Sequence, residues 1–153
     1  MPEIGEKLPK FDLPRDGGAM VSNEDFAGST VVLFFYPRDD TPGCTKESIG
    51  FSEHIASFHD IGVMVMGVSK DSVASHDKFV AKHNLTTPLL SDENGSLCED
   101  LGVWVEKNMY GKKFMGIERT TFVVDGDGII RHIWRKVKVP GHVEAVLEAV
   151  RAL

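Results

Sequence analysis

The sequence predicts an α/β fold in which a central mixed β-sheet is flanked by helices. Two strand-sized segments, residues 29–36 and 63–68, are almost entirely apolar, as strands buried on both faces are. A segment with helical periodicity follows each of them, and a hairpin pattern and a final helix come last. Two strand–helix–strand units followed by a hairpin and a helix predict a mixed sheet covered by helices.

The first 28 residues are rich in turns and precede the main strands. Residues 15–18, Arg-Asp-Gly-Gly, predict a tight turn between two short strands. Residues 22–26 are typical of a short capped helical turn. We therefore expect an N-terminal β-hairpin extension in front of the central sheet.

The first long helix is predicted over residues 43–59. Phe51, Ile55 and Phe58 recur at the spacing of one helix face. The segment 60–62, Asp-Ile-Gly, ends this helix before the second apolar strand begins.

A second helix, a short strand and a short helix follow that strand. Residues 69–72 open the helix, which runs to about His83 and is closed by Asn84. A short strand is predicted at residues 88–90. Residues 94–96, Asn-Gly-Ser, then begin a short helix that contains a cysteine.

The last third of the chain is predicted to contain one irregular region, one hairpin and one helix. Residues 102–118 hold three glycines and show no clear periodicity. Residues 119–124 and 129–134 form the hairpin over an Asp-Gly-Asp-Gly turn, and the final helix follows residues 140–141. Since there are no repeats, linkers or low-complexity segments, we expect one domain over residues 1–153.

Composition excludes several classes of function. A net charge of −6 without any run of Lys and Arg disfavours nucleic-acid binding, and no apolar run is long enough to span a membrane. Residues 1–5 lack the features of a signal peptide. With only two cysteines we expect a reducing, cytoplasmic location. The six histidines lie too far apart in sequence to predict a metal site, and no cofactor is expected.

Cys44 is the strongest candidate for chemistry. It follows a buried strand and a polar loop, and it lies where the first long helix is predicted to begin. The N-terminus of a helix favours a thiolate, which is the reactive form of cysteine. Residues 41–43 lead into the first turn, and Glu47 is expected to cap it. The alternative is a buried structural cysteine, but its polar neighbours favour a reactive thiol.

This region resembles the active-site loop of peroxiredoxins. Residues 41–45, Thr-Pro-Gly-Cys-Thr, follow Phe-Tyr-Pro at 35–37, which is similar to the bacterioferritin-comigratory-protein (peroxiredoxin Q) branch of the AhpC/TSA superfamily. Residues 89–92, 102–104 and 117–122 extend the resemblance. It implies a thioredoxin-like fold and a thiol-dependent peroxidase that reduces hydrogen peroxide and organic hydroperoxides. It also implies a monomer whose cysteine is recycled by thioredoxin or another thiol.

The resemblance also implies roles for individual residues. Cys44 would be the peroxidatic nucleophile, the Thr41 hydroxyl would contact the peroxide, and the charge of Arg119 would stabilise both thiolate and leaving oxygen. Pro42 would shield the sulfur, and Gly43 completes the motif. Spacing alone leaves Arg119 as a salt-bridge residue at the start of a strand.

The resolving thiol departs from the pattern of the branch. Many relatives carry it five residues after the nucleophile, where this chain has Ile49, or in the next helix, which has no cysteine here. Cys98 is the second cysteine. It either resolves a Cys44 sulfenate after local unfolding, or packs in the core beside Leu97 and Leu101. The second interpretation is favoured and implies a one-cysteine enzyme that needs an external thiol.

Two other functions remain as alternatives. A thioredoxin-type disulfide oxidoreductase is disfavoured, because a Cys-x-x-Cys motif would need cysteine at position 47, where the chain has Glu47. The second alternative is a redox-sensing or holdase-like binding protein that is switched by oxidation of Cys44.

Overall fold

The computed structural model describes residues 2–153 and has the mixed α/β architecture expected from the sequence. The strands are β1 (Asp12–Pro14), β2 (Met20–Ser22), β3 (Thr30–Phe35), β4 (Val63–Ser69), β5 (Leu89–Ser91), β6 (Trp104–Met109), β7 (Lys112–Ile117), β8 (Thr120–Val124) and β9 (Ile130–Trp134). The helices are α1 (Pro42–Glu53), α2 (Ile55–Asp60), α3 (Val73–His83), α4 (Leu97–Asp100) and α5 (His142–Arg151). A short 3₁₀ helix spans Asn23–Phe26.

The central sheet has five strands in the order β5-β4-β3-β8-β9. Strands β3, β4 and β5 run parallel, whereas β8 is antiparallel to both β3 and β9. The mixed sheet predicted from the sequence is therefore confirmed. Strand β3 lies at its centre, so the loop that follows β3 starts from the middle of the sheet.

Successive side chains of β3 enter two separate cores, because side chains alternate between the faces of a strand. Val31, Leu33 and Phe35 face one core, which also takes residues from the N-terminal hairpin and α4. Val32 and Phe34 face the other, which takes residues from α1, α2, α3 and α5. The fold thus has helices on both faces of a sheet that is buried on both sides.

The N-terminal hairpin protects an edge of the central sheet. Its strands β1 and β2 pair antiparallel, as the Asp-Gly-Gly turn predicted. Beyond β1, the N–H of Asp16 donates to the carbonyl of Leu89 at 2.9 Å, and its carboxylate accepts from the N–H of Leu89 at 2.9 Å. These bonds occupy backbone groups of edge strand β5 that would otherwise be open to another chain.

Two parts of the chain differ from the sequence-based expectation. The helix predicted over residues 43–59 is divided at His54 into α1 and α2. The region predicted to be irregular, 102–118, contains the antiparallel pair β6 and β7, joined by a turn at Tyr110 and Gly111 with φ of 53° and 79°. Most side chains of this hairpin are exposed or half-buried, so it has no alternation of apolar and polar residues to reveal it.

Among residues 2–153, no helix combines the length and the apolar character that crossing a membrane would require.

Gly67 on β4 should tolerate no side chain. A Cβ at this position would lie 2.8 Å from both the Leu89 and the Phe34 side chains, in a core that has no space to yield. We expect Gly67→Ala to lower the free energy of unfolding by about 1–3 kcal/mol, as overpacked cores do. Equilibrium urea unfolding measures the change. In a protein that also carries Phe34→Leu, Gly67→Ala should lower the free energy of unfolding by less than it does in the wild type. If the losses of the two single variants simply add in the double variant, this account is contradicted.

Candidate active site

Cys44 is the third residue of α1 and lies inside the protein. Thr41 is the N-cap residue, with an extended backbone at φ −95° and ψ 154°, and Pro42 occupies the first helical position. Proline suits this position because its fixed φ matches the helix and its missing N–H would have had no partner. The Cys44 side chain packs in the core beneath β3 and the residue is 1% exposed. The expected cysteine at a helix N-terminus is therefore present.

Arg119 reaches Cys44 across the sheet. Residue 119 directly precedes β8, and the first residue of β8, Thr120, is paired with Phe35 at the end of β3. This pairing brings two residues that are 75 positions apart in sequence into contact. Arg119 Nη2 lies 3.2 Å from Cys44 Sγ. The site therefore combines a thiol and a permanent positive charge in direct contact.

Glu47 fixes the other side of the Arg119 guanidinium. Its Oε1 accepts a hydrogen bond from Arg119 Nη1 at 2.7 Å, and its side chain is fully buried. The expectation that Glu47 caps α1 is wrong. Glu47 lies one helical turn beyond Cys44, which puts both side chains on the same face of α1 and directs them to Arg119.

The two charged groups of this cluster, Glu47 and Arg119, differ in how readily they change protonation state. Burial raises the pKa of Glu47 to about 7, although the charge and hydrogen bond of Arg119 oppose the shift. Burial alone would lower the pKa of Arg119, but Glu47 and Cys44 outweigh it and raise the pKa above its usual value. Arg119 therefore stays cationic at every physiological pH, whereas Glu47 is the member of the pair that titrates.

Gly43 leaves room for the guanidinium. A Cβ at position 43 would lie 3.1 Å from Arg119 Nη2, so a larger residue would push the charge away from the sulfur. Pro42 is exposed. Thr41 is half-buried, and its hydroxyl donates to the carbonyl of Arg38 at 2.9 Å. The structure thus places Thr41, Gly43 and Arg119 around the start of α1.

Cys98 lies on the opposite face of the central sheet from Cys44. It belongs to the core formed with the N-terminal hairpin, whereas Cys44 belongs to the core formed with α1 and α5. Cys98 is fully buried, and its backbone N–H donates to Asp92 Oδ2 at 2.8 Å. Burial, and then the negative charge of Asp92, raise the pKa of the Cys98 thiol. The predicted packing beside Leu97 is observed, while any part of Cys98 in the reaction stays a prediction.

Sequence reasoning missed His142, which extends the cluster. Its Nε2 lies 2.8 Å from Thr121 Oγ1 and 4.0 Å from Glu47 Oε2. Burial, followed by the nearby charge of Arg119, lowers the pKa of His142 to about 4. The ring is therefore neutral at pH 7. Its place at the first residue of α5, after Pro-Gly, was the only signal in the sequence.

A second polar cluster lies under the loop that connects β3 to α1. The side-chain ligand atoms of Asp39, Asp71 and His76 lie within 4.8 Å of one another, which is a spacing that a metal ion can use. However, His76 Nδ1 and Asp39 Oδ2 are 2.7 Å apart, which is a hydrogen-bond distance that leaves no space for an ion between them.

Comparison with known proteins identifies the family. The sequence model described as "AhpC/TSA family" matches residues 4–133. The chain belongs to this family. A protein named putative peroxiredoxin bcp from Coxiella burnetii is 52% identical over 145 residues, which cover 95% of this chain and 96% of that protein. Peroxiredoxin Bcp from Bacillus subtilis is 44% identical, over 97% of this chain and 95% of that protein.

Solved structures of the family have the same fold. A PrxQ mutant from Xylella fastidiosa superposes with a TM-score of 0.94 at 40% identity, covering 99% of this chain and 97% of that one. The bacterioferritin comigratory protein of Xanthomonas campestris gives 0.88 at 45% identity, covering 93% and 90%. The thioredoxin-like fold and the thiol-dependent peroxidase expected from the resemblance are therefore confirmed.

The ionisation of Glu47 should make the protein less stable as the pH rises. Because the folded state raises the pKa of this acid from 4.5 to about 7, its stabilising contribution is complete below the lower value and lost as the pH passes the upper one. Relative to Glu47→Gln, the free energy of unfolding of the wild type should decline by up to about 3 kcal/mol across this range. Urea unfolding of both proteins at several pH values measures it.

The comparison with the variant is needed because His142 acts in the opposite direction. The lowered pKa of His142 adds stability as the pH rises through the same range. His142 is present in both proteins, so the part of its contribution that does not depend on Glu47 cancels in the difference between them. A difference that is constant or that grows with pH would refute the role given to Glu47.

Proposed function

We propose that the protein reduces peroxides with Cys44 as the nucleophile and Arg119 as the group that stabilises charge. The observation that carries the proposal is the 3.2 Å contact between Arg119 Nη2 and Cys44 Sγ. A guanidinium in contact with sulfur favours the thiolate, and its remaining N–H groups can bind a peroxide oxygen. The Glu47 contact holds the guanidinium in this orientation.

In the proposed reaction the thiolate attacks the terminal oxygen of a hydroperoxide, ROOH. The S–O bond forms while the O–O bond breaks, and Cys44 becomes a sulfenic acid. The departing alkoxide, RO⁻, takes a proton from water and leaves as an alcohol, or as water when the substrate is hydrogen peroxide. Negative charge grows on the departing oxygen in the transition state. Arg119 stabilises this transition state more than it stabilises the starting complex, and the reaction is faster for that reason.

Thr41 is proposed to hold the peroxide in line with the sulfur. Its hydroxyl hydrogen is used by the Arg38 carbonyl, so the lone pairs of its oxygen are free to accept the hydrogen of the substrate. The backbone N–H groups at the start of α1 are proposed to add donors on the other side. Pro42 is proposed to limit the access of water to the sulfur, and Gly43 to leave space for Arg119.

Organic hydroperoxides are proposed as substrates alongside hydrogen peroxide. A surface cavity of about 360 Å³ borders the loop before α1 and is lined by Arg38, Lys107 and the apolar side chains of Trp104 and Phe114, among others. An alkyl group extending from the peroxide would find apolar surface there. The bacterioferritin comigratory protein of Xanthomonas campestris has alkyl peroxide reduction activity, which supports the proposal.

The sulfenic acid on Cys44 is proposed to be reduced by an external thiol. Cys98 is buried on the other face of the sheet, so it would need extensive unfolding to reach Cys44. The external thiol attacks the sulfenic sulfur, a disulfide forms and water leaves, and a second thiol then releases Cys44.

Thioredoxin is the proposed reductant by family resemblance. A monomer is proposed on the same ground, and a cytoplasmic location because the sequence has only two cysteines.

The two cysteines should differ completely in the first turnover. Cys44→Ser should abolish peroxide consumption, because it removes the nucleophile. Cys98→Ser should consume one equivalent of peroxide at the wild-type rate, because Cys98 lies outside the site. Stopped-flow kinetics measures the rates, and intact-mass analysis with a sulfenate trap identifies the oxidised residue.

Each other outcome identifies a different mechanism. An intramolecular disulfide between Cys44 and Cys98 would establish Cys98 as the resolving thiol and refute the external one. Slow oxidation of Cys44 together with normal binding to a protein partner would favour the redox-sensing alternative.

Arg119→Ala should slow the attack on peroxide by about 100-fold, as the loss of one oxyanion donor does in other enzymes. The second-order rate constant with hydrogen peroxide measures this effect. Arg131→Ala is the matched control, because Arg131 is an exposed arginine paired with Asp125 on the surface. Equal rates in the wild type and Arg119→Ala would refute the role of this charge.

A further inference from the structure

The loop between β3 and α1 is held in place by hydrogen bonds to a buried polar cluster. Asp39 in this loop and His76 on α3 form its centre, with side chains that are 4% and 0% exposed. The Asp39 carboxylate accepts from the Tyr36 hydroxyl at 2.6 Å and from the Ser75 hydroxyl at 2.8 Å. The Asp39 N–H donates to the Asp71 carboxylate at 2.8 Å. Nothing in the proposed reaction uses these groups directly.

Both ring nitrogens of His76 face hydrogen-bond acceptors. His76 Nε2 lies 2.9 Å from the carbonyl oxygen of Leu90, which can only accept, so this nitrogen must carry a hydrogen. His76 Nδ1 lies 2.7 Å from Asp39 Oδ2. A contact this short needs a hydrogen between the two atoms, and both oxygens of the Asp39 carboxyl already act as acceptors, from the Tyr36 and Ser75 hydroxyls, so the ring is the donor that fits this arrangement. The geometry therefore favours a ring with two N–H groups, which is the positively charged imidazolium.

The electrostatic surroundings agree with this protonation state. Burial opposes a charged ring, but the hydrogen bond and charge of Asp39, the Leu90 carbonyl and the charge of Asp71 together raise the pKa of His76. Burial and the charge of Asp39 also raise the pKa of Tyr36, so its hydroxyl keeps the hydrogen that it donates. The cluster therefore surrounds the His76 ring with the carboxyl groups of Asp39 and Asp71 and the Leu90 carbonyl.

Asp39 is connected to the start of α1 by a short run of backbone. The carbonyl of the preceding residue, Arg38, accepts from the Thr41 hydroxyl at 2.9 Å. The carbonyl of Thr41 in turn accepts from the N–H of Thr45, within the first turn of α1. A displacement of Asp39 therefore moves the groups that orient Thr41 and Cys44.

We propose that His76 is a positioning residue of the peroxidase site, held as a buried imidazolium between Asp39 and the Leu90 carbonyl. It anchors the loop before α1 to α3 and β5. Through the loop it fixes the Thr41 hydroxyl and the first turn of α1 in the geometry that peroxide attack requires. The proposal rests on Cys44 being the nucleophile, and its test measures that point separately.

The charge state can be read directly from the ring of His76. Long-range ¹H–¹⁵N correlation spectra of the histidine-labelled wild type at pH 7.5 should contain one ring, assigned through bonds to His76, with hydrogens on both nitrogens. An unperturbed histidine is mostly neutral at this pH. A His76 ring with one hydrogen, or with a nitrogen bound to a metal that EDTA removes, would overturn the proposal.

The positioning role is tested by two reactions of the same sulfur. His76→Gln should slow the oxidation of Cys44 by hydrogen peroxide about tenfold or more, because small displacements of reacting groups have large effects on rate. Alkylation of Cys44 by iodoacetamide needs the thiolate but no aligned peroxide, so it should change by less than threefold. A general loosening of the fold would instead accelerate the alkylation of Cys44, and this result would refute the positioning role of His76.

His83→Gln is the matched control. His83 lies on the same helix and contacts the same loop through Asp40 at 2.9 Å, but that pair is on the surface. Its peroxide rate should stay within twofold of the wild type. The double variant Asp39→Asn with His76→Gln replaces the ion pair by two amides, and it should react faster than His76→Gln alone because the Asp39 carboxylate is no longer left without its partner.

The outcomes separate the two proposals. If wild-type Cys44 forms no sulfenate with peroxide, the proposed function fails. If it does, and folded His76→Gln reacts within twofold of the wild type, only the inference about His76 fails. Should His76→Gln not fold, Tyr36→Phe removes a single hydroxyl from Asp39 and should also slow peroxide attack at an unchanged alkylation rate. An unchanged peroxide rate in Tyr36→Phe would then overturn the inference.

Discussion

The contact of Arg119 with both Cys44 and Glu47 is the interaction on which the site depends. It joins a residue at the start of β8 to two residues of α1, and it exists because β3 and β8 are neighbours in the sheet. A guanidinium suits this place because its fixed fork of donors reaches two acceptors at once. The pairing of the central strands therefore brings the thiol and the charge together.

The division of the core into two faces places the two cysteines in different surroundings. Cys44 lies at a helix start beside a cation, and Cys98 lies in an apolar core beside the carboxylate of Asp92. A nearby cation favours the thiolate, whereas burial next to an anion favours the unreactive thiol. The same residue type thus has opposite electrostatic surroundings in the two halves of one fold.

Local patterns predicted most of the elements, and non-local contacts account for what was missed. The apolar run of β3 and the spacing of Phe51 and Phe58 depend on near neighbours in sequence, so they could be interpreted directly. The partner of Glu47 depends on the pairing of β3 with β8, which no local pattern contains. The β6–β7 hairpin lacks a buried face and hence a hydrophobic period. The sequence around His76 does not indicate its role, because the oxygen atoms that contact its two ring nitrogens come from distant parts of the chain.

The burial of Cys44 has a consequence for how the enzyme completes a cycle. Hydrogen peroxide is small enough to approach a sulfur in a residue that is 1% exposed, but a thiol carried by a second protein is not. For the proposed reduction by an external protein thiol, the first turn of α1 must therefore unwind. Unwinding of this turn takes Cys44 away from Arg119, because Cys44 lies in that turn. In the proposed cycle, the conformation that accepts peroxide and the one that accepts the reductant exclude each other, so the opening of one short helical segment would separate the oxidative and reductive halves of turnover in time.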